Sequence, residues 1–269
     1  MPSFSLAALT ALELAPPDLI DVAAACGYEH VGLRLMPAVA GGPAYPLMDD
    51  PAKLKETIAR VDATGVTVAD LEIAALRAET EIASFEAFFE AGARLGAKHI
   101  LVAAYDPDLV RFADCYARFC EAVRPYRMTA DLEFMPWTAV PNLKQAMRIV
   151  DEVNQPNAGL LVDALHFDRS QSLTTDIARI PKGRLHYWQI CDGPAERPAT
   201  TEATMHAARS ERLFPGEGGI DLVSLVRAMP ADITISIETP TVELAKTVDA
   251  TTRARRALQG ARRVVAAAG

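Results

Sequence analysis

The chain has 269 residues, half of them hydrophobic, and its 35 Asp and Glu outnumber 27 Lys and Arg to give a net charge of −8. That length suits one large core, and α/β barrels of about 250 residues commonly form a single domain. The acidic balance argues against nucleic acid as a partner, because a basic footprint supplies most of that affinity, and no apolar stretch reaches the roughly 20 residues that cross a bilayer.

The opening, MPSFSLAALTALELAPPDL, lacks a basic n-region and reads as a strand rather than a signal peptide. From there, short apolar runs alternate with longer segments of helical periodicity. Strands are expected at 3–9, 30–35, 67–73, 99–105, 128–134, 159–165, 185–191 and 234–238. Between them, helices are expected at 17–26, 51–64, 84–95, 107–124, 142–152, 173–180 and 221–229, and a long Ala- and Arg-rich helix at 241–267 closes the chain. The second helix has Asp50 as a candidate N-cap, and Gly27, Gly65 and Gly96 each stop a helix just before a strand. Eight βα units with right-handed crossovers close into a single (β/α)8 barrel domain over 1–269. An open doubly wound sheet is disfavoured, because no Gly-rich phosphate loop follows the first strand. Two connections, 36–50 and 192–219, exceed what a tight turn needs and read as binding loops at the barrel mouth. Cys26, Cys115, Cys120 and Cys191 form no CxxC pair and read as reduced thiols of a cytoplasmic protein.

Four strand ends carry oxygen ligands: Glu133 in TADLEF, Asp163 in LLVDALHF, Gln189 in HYWQICD and Glu238 in ISIET. A charge inside a sheet is costly, whereas the C-terminal mouth of a parallel barrel is where chemistry is placed. Glu133 and Asp163 are 30 residues apart and Asp163 and Gln189 are 26 apart, one βα unit each; Gln189 and Glu238 are 49 apart, one unit plus the long loop. The four therefore fall on adjacent strands. An all-oxygen set favours Mn²⁺, with Mg²⁺ or Co²⁺ as alternatives, over Zn²⁺, which prefers His and Cys. For any single one of the four, an ion pair or a helix cap is an equal reading.

The phrases LEFMPW, DALHF, RLFPGEGGID and SIETP together resemble the xylose isomerase-like TIM-barrel superfamily of sugar phosphate isomerases and epimerases. The resemblance implies metal ligation by Glu133, Asp163, Gln189 and Glu238, with Glu133 and Glu238 doubling as an acid/base pair. It implies substrate contacts from His166 and Arg212. Many ketose epimerases of this kind have His where this chain has Gln189, while hydroxypyruvate isomerase and some 3-dehydroshikimate dehydratases use Gln. Arg34 stands where many relatives carry an acidic residue, which suggests an anionic substrate. Relatives are often dimers or tetramers, so a homo-oligomer is expected alongside a small-molecule partner.

Other residues stay open between roles. Glu72 lines the mouth or pairs with Arg34 or Arg77, and Trp137 is a wall for a sugar ring or a packing residue. His186 reads as structural, His30, His99 and His206 as structural or surface groups, and Arg209 as a surface charge. The expected activity is metal-assisted isomerisation or epimerisation of a hydroxy-carbonyl compound through an enediolate. The alternative is a lyase of the 3-dehydroshikimate dehydratase type on the same site. A related DNA-repair endonuclease would need many His ligands and a basic surface; this chain has five His and is acidic. A non-catalytic ligand-binding barrel is the fourth reading.

Overall fold

The computed structural model describes residues 2–269. Eight parallel strands close into a barrel in sequence order: β1 (Phe4–Leu6), β2 (His30–Arg34), β3 (Thr67–Leu76), β4 (His99–Ala104), β5 (Thr129–Glu133), β6 (Ala158–Asp163), β7 (Leu185–Ile190) and β8 (Thr234–Ile237). The helices wrap outside: α1 (Pro16–Cys26), α2 (Pro51–Thr64), α3 (Glu86–Leu95), α4 (Leu109–Val123), α5 (Leu143–Val153), α6 (Ala164–Arg169), α7 (Thr174–Ile177), α8 (Thr201–Ser210), α9 (Leu222–Ala228), α10 (Val242–Ala245) and α11 (Ala250–Ala268). The expected (β/α)8 architecture is therefore present.

Local signals work as the sequence indicates. Asp50 accepts a hydrogen bond from the Lys53 backbone N–H at the start of α2, and Gly65 ends that helix with a left-handed φ of 75°. The main core lies between strands and helices, where Leu6, Ile20, Leu33, Phe89, Phe119 and Trp188 are almost fully buried.

Three local expectations are corrected. The sixth strand stops at Asp163 rather than 165, because the Asp163 carboxylate caps a new helix, α6, by accepting from the His166 N–H at 2.9 Å. The 192–219 connection contains α8, capped by Thr200 on the Ala203 N–H. The closing helix is two pieces: α10 ends at Ala245, and Asp249 starts α11 by accepting from the Thr252 N–H.

Inside the barrel the two-residue period of a strand brings alternate side chains to the interior. On β5 that series is Thr129, Asp131 and Glu133. Asp131 is fully buried near the N-terminal end of the barrel. It accepts from Thr129 Oγ1 at 2.5 Å and from His186 Nδ1 at 2.5 Å, with His99 Nδ1 3.6 Å away. The His99 and His186 rings stack 5.6 Å apart. His186, expected to be structural, is partnered by Asp131 at this end of the barrel. Burial pulls the His99 pKa down to about 4, against the attraction of Asp131.

The intervening strand, β6, supplies Gly159, whose added Cβ would collide with Asp131 Oδ1 and stand 2.5 Å from His186 Nδ1. Gly159→Ala should therefore destabilise the fold by about 2–4 kcal/mol, since neither strand backbone nor paired rings have room to retreat. Urea denaturation would measure this, and an unchanged midpoint would show that the Asp131–His186 contact is free to move.

Candidate active site

The strand register decides which side chains meet at the C-terminal mouth. Arg34 pairs with Glu72 across β2 and β3, Ala103 with Glu133 across β4 and β5, and Glu133 with Leu161 across β5 and β6. Asp163 pairs with Gln189, and Gln189 with Ser236, so Glu238 follows two residues above that level. All of Glu72, Glu133, Asp163, Gln189 and Glu238 are buried, although they are polar.

Their partners are protein groups. Arg212, with a side chain 2% exposed, donates from Nη1 to Asp163 Oδ2 at 2.5 Å and sets Nη2 2.8 Å from Glu238 Oε2. Its Nε donates to the Ala208 carbonyl at 2.8 Å. Gln189 Nε2 donates to Glu238 Oε1 at 3.1 Å, which leaves the buried Gln189 Oε1 without a protein partner. His166 Nε2 lies 3.8 Å from Glu133 Oε1 and its Nδ1 has no hydrogen-bond partner. The Trp137 ring meets His166 edge-on with centroids 5.0 Å apart. Arg34 is held by Glu72, with Nε and Nη2 donating to Oε2 at 2.9 and 2.5 Å. The Arg34–Glu72 salt bridge weighed from the sequence is thus present, and it satisfies the charge that Arg34 would otherwise offer an anion.

Burial and neighbours separate the carboxyl groups. Burial, then Glu238 and Asp163, push Glu133 well above the usual carboxylate range. Burial also raises Glu238, to about 7, with Arg212 opposing it and Glu72 and Asp163 adding to it. Burial opposes ionisation of Asp163 too, but Arg212 and His166 outweigh it and hold Asp163 below its ordinary value. His166 is pulled down to about 4, chiefly by burial, and stands neutral.

The four proposed ligands fit a hard divalent ion in donor chemistry. They offer three carboxylates and an amide oxygen, and the Gln189 oxygen is buried and free to accept. Within this arrangement Arg212 neutralises two of the carboxylates. At the opposite end of the barrel, His99, Asp131 and His186 form the one grouping among the described residues whose ligand atoms all lie within 4.8 Å of one another and which could hold a metal.

A cavity of about 620 Å³ opens above Glu133 and Glu238. Its walls include Leu12, Val39, Tyr105, Met135, Trp137 and Val242, and it also reaches Arg34, His166, Arg209 and Arg212. Arg209, read from the sequence as a surface charge, thus stands on the cavity wall. Sequence reading also passed over Asp192, two residues past β7. Its carboxylate accepts from the backbone N–H groups of Gly193, Gly216, Gly218 and Ile220 at 2.8–3.1 Å. The PGEGG turn is wound around that carboxylate, and a Cβ at Gly218 would fall 2.4 Å from Asp192 Oδ1. The available signal was a lone Asp directly before a long Gly-rich loop.

Removing Arg212 leaves Asp163 and Glu238 buried and unpaired, which typically costs about 3–5 kcal/mol. Arg212→Leu should show this loss at pH 7.5 in urea titrations. The gap to the parent should narrow as pH falls. In the parent, Asp163 has a depressed pKa, so its stabilisation is present above the unfolded value of 3.8 and is lost as pH falls through the folded value. In the variant the orphaned carboxyls titrate above their unfolded values, so acid protonates the folded state first and stabilises it. A pH-independent gap would show that charge on Asp163 and Glu238 is not what Arg212 compensates.

Comparison with known proteins places this barrel. A model of the xylose isomerase-like TIM barrel matches residues 20–264. Inosose isomerase of Bacillus subtilis (strain 168) is 28% identical over 119 residues, 43% of this chain and 40% of that protein. A 3-dehydroshikimate dehydratase of Pseudomonas aeruginosa is 30% identical over 111 residues, 41% of this chain and 17% of that protein. The matched stretch is thus less than half the length of each of these relatives. Among solved structures, the IOLI protein with a bound zinc atom aligns with a TM-score of 0.80 at 21% identity, covering 98% of both chains. D-allulose 3-epimerase from Methylomonas sp. aligns at 0.70 and 17%, covering 97% of this chain and 96% of that one. No helix of the described residues is long and apolar enough to cross a membrane. With the closed eight-stranded barrel and a match over nearly its whole length, this chain belongs to the xylose isomerase-like TIM-barrel family.

Proposed function

We propose that this chain is a divalent-metal-dependent isomerase or epimerase of a small sugar-like hydroxy-carbonyl compound. The observation that carries the reading is the pair Glu133 and Glu238, two buried carboxyls on one cavity with their ionisation driven apart from the ordinary range. Relatives named as an inosose isomerase and a 3-dehydroshikimate dehydratase support the substrate class.

A carbon acid beside a carbonyl is too weak to ionise unaided. The chain's own groups divide the work. Glu238, whose charge is supported by the Arg212 guanidinium at 2.8 Å, takes the proton. Glu133, on the same cavity, returns one from the other side of the substrate. Neutral His166, on the cavity wall with Nε2 3.8 Å from Glu133 Oε1, contacts a substrate oxygen. Trp137 and Met135 keep water from the reacting face. Glu133, Asp163, Gln189 and Glu238 would hold Mn²⁺, with Mg²⁺ or Co²⁺ as alternatives and Zn²⁺ less favoured. The ion, when bound, supplies fixed positive charge for the developing enediolate. Return of the proton to the same carbon inverts it, and return to its neighbour moves the carbonyl. Loss of a β-hydroxyl is the lyase outcome on the same groups, favoured by the dehydratase relative and by a cation on the cavity wall.

Proton–deuterium exchange into 2-keto-myo-inositol, followed by NMR, tests the acid/base pair. Glu133→Gln and Glu238→Gln should each slow exchange by about 10²–10⁴-fold, the usual scale for a positioned acid or base. Full exchange in both variants would sink the assignment. An ultraviolet band of an aromatic product from 3-dehydroshikimate would favour the lyase. Metal dependence has a separate readout: chelation should abolish exchange, and added Mn²⁺ should raise the melting temperature of the parent but not of Asp163→Asn. Equal shifts in both proteins would place the ion elsewhere.

A further inference from the structure

Five cationic side chains reach the wall of the cavity: Arg34, Arg209, Arg212, Lys246 and Arg253. Four are neutralised by the chain itself. Arg34 is bound to Glu72, Arg212 to Asp163 and Glu238, Lys246 to Glu243 at 2.7 Å, and Arg253 to Glu13. Among the described residues, Arg209 has no carboxylate within ion-pair distance. Its guanidinium lies over the Trp137 ring, 5.8 Å from the centroid. A guanidinium resting on an aromatic face keeps its N–H edge free for a planar oxyanion.

Trp137 meets His166 at 5.0 Å, and His166 Nε2 is 3.8 Å from Glu133 Oε1. Arg209 is thus near enough to this group that its charge helps to lower the His166 pKa. The Trp137 ring lies against both Arg209 and His166, and its Nε1–H is buried without a partner. His166 is 3% exposed and carries an unpartnered Nδ1 on the same cavity. One unpaired charge thus stands on the cavity wall beside the Trp137 ring.

We propose that Arg209 and Trp137 form an anion-binding subsite that selects substrates carrying a carboxylate on or beside the hydroxylated ring. This rests on the reading of the cavity as the active site and deepens it by naming a substrate class. A single carboxylate matches one free guanidinium, which binds it through two parallel N–H donors. A phosphate dianion is poorly served there, because Arg209 lies in the last turn of α8, where the helix dipole presents its negative end. The cavity, at about 620 Å³, accommodates a carboxylated ring beyond the volume of a bare sugar.

Two pairs of inert probes test this by titration calorimetry: shikimate against methyl shikimate, and D-glucuronate against D-glucose. In each pair the charge differs and the hydroxylated ring is retained. At least one acid should bind the parent tenfold or more tightly than its neutral counterpart. Arg209→Gln should bring that ratio close to one while leaving the neutral probe's affinity unchanged, and Arg209→Lys should restore part of it. Added NaCl should erode the preference in the parent and not in Arg209→Gln. No preference for either acid in the parent, or a preference that survives Arg209→Gln, would overturn the subsite. Because binding is read without turnover, failure of Glu133 and Glu238 to matter in the exchange assay would sink the proposed reaction and leave this result standing.

Discussion

The arrangement of the mouth depends on one buried guanidinium. Six carboxylates, Asp70, Glu72, Asp131, Glu133, Asp163 and Glu238, are buried on the barrel strands or directly after them, against Arg34 and Arg212 as the buried cations beside them. Uncompensated charge in a low dielectric is expensive. Arg212 meets this cost where the acids are densest, by joining Asp163 to Glu238 and so tying the ends of β6 and β8 together. Burial, with the remaining excess of acid over base adding to it, raises Glu133 and Asp70.

Arg212 reaches that position because of the segment that carries it. Asp192 gathers four backbone N–H groups from the loop after β7, which folds the PGEGG turn back over the barrel. The Arg212 N–H donates to the Pro240 carbonyl at 2.9 Å, and its Nε donates to Ala208 at the end of α8. A carboxylate with no contact to the proposed chemistry therefore positions both arginines of this segment, Arg212 inward and Arg209 on the cavity wall. Both arginines are thus carried by one βα connection, the part of a rigid barrel that commonly bears function.

Several sequence readings are accounted for by individual residues. The helix stops at Gly27, Gly65 and Gly96 were legible because a left-handed residue after a helix is a local requirement, and all three have positive φ. The break between α10 and α11 was missed because Ala- and Arg-rich sequence favours helix on both sides, and only the Asp249 cap interrupts it. Asp163 reads from sequence as a strand end and a candidate ligand; that its Oδ1 also caps α6 while Oδ2 meets Arg212 is visible only in the structure. Arg209 reads as a surface charge from sequence because Arg212, three residues on, takes the family position, and nothing local reveals α8 or the cavity beside it.

What the amino-acid order determined by itself is the alternation of strand and helix, the count of eight, and the placing of Glu133, Asp163, Gln189 and Glu238 at neighbouring strand ends. These follow from periodicity and turn chemistry, which act over a few residues at a time. Which cation meets which acid was decided only when the barrel closed. Arg34 found Glu72 through the β2–β3 register, Arg212 found Asp163 and Glu238 across 49 and 26 residues of chain, and Arg209 found none. Pairing of charges depends on distances of a few ångströms between segments remote in sequence, and no local pattern encodes those distances.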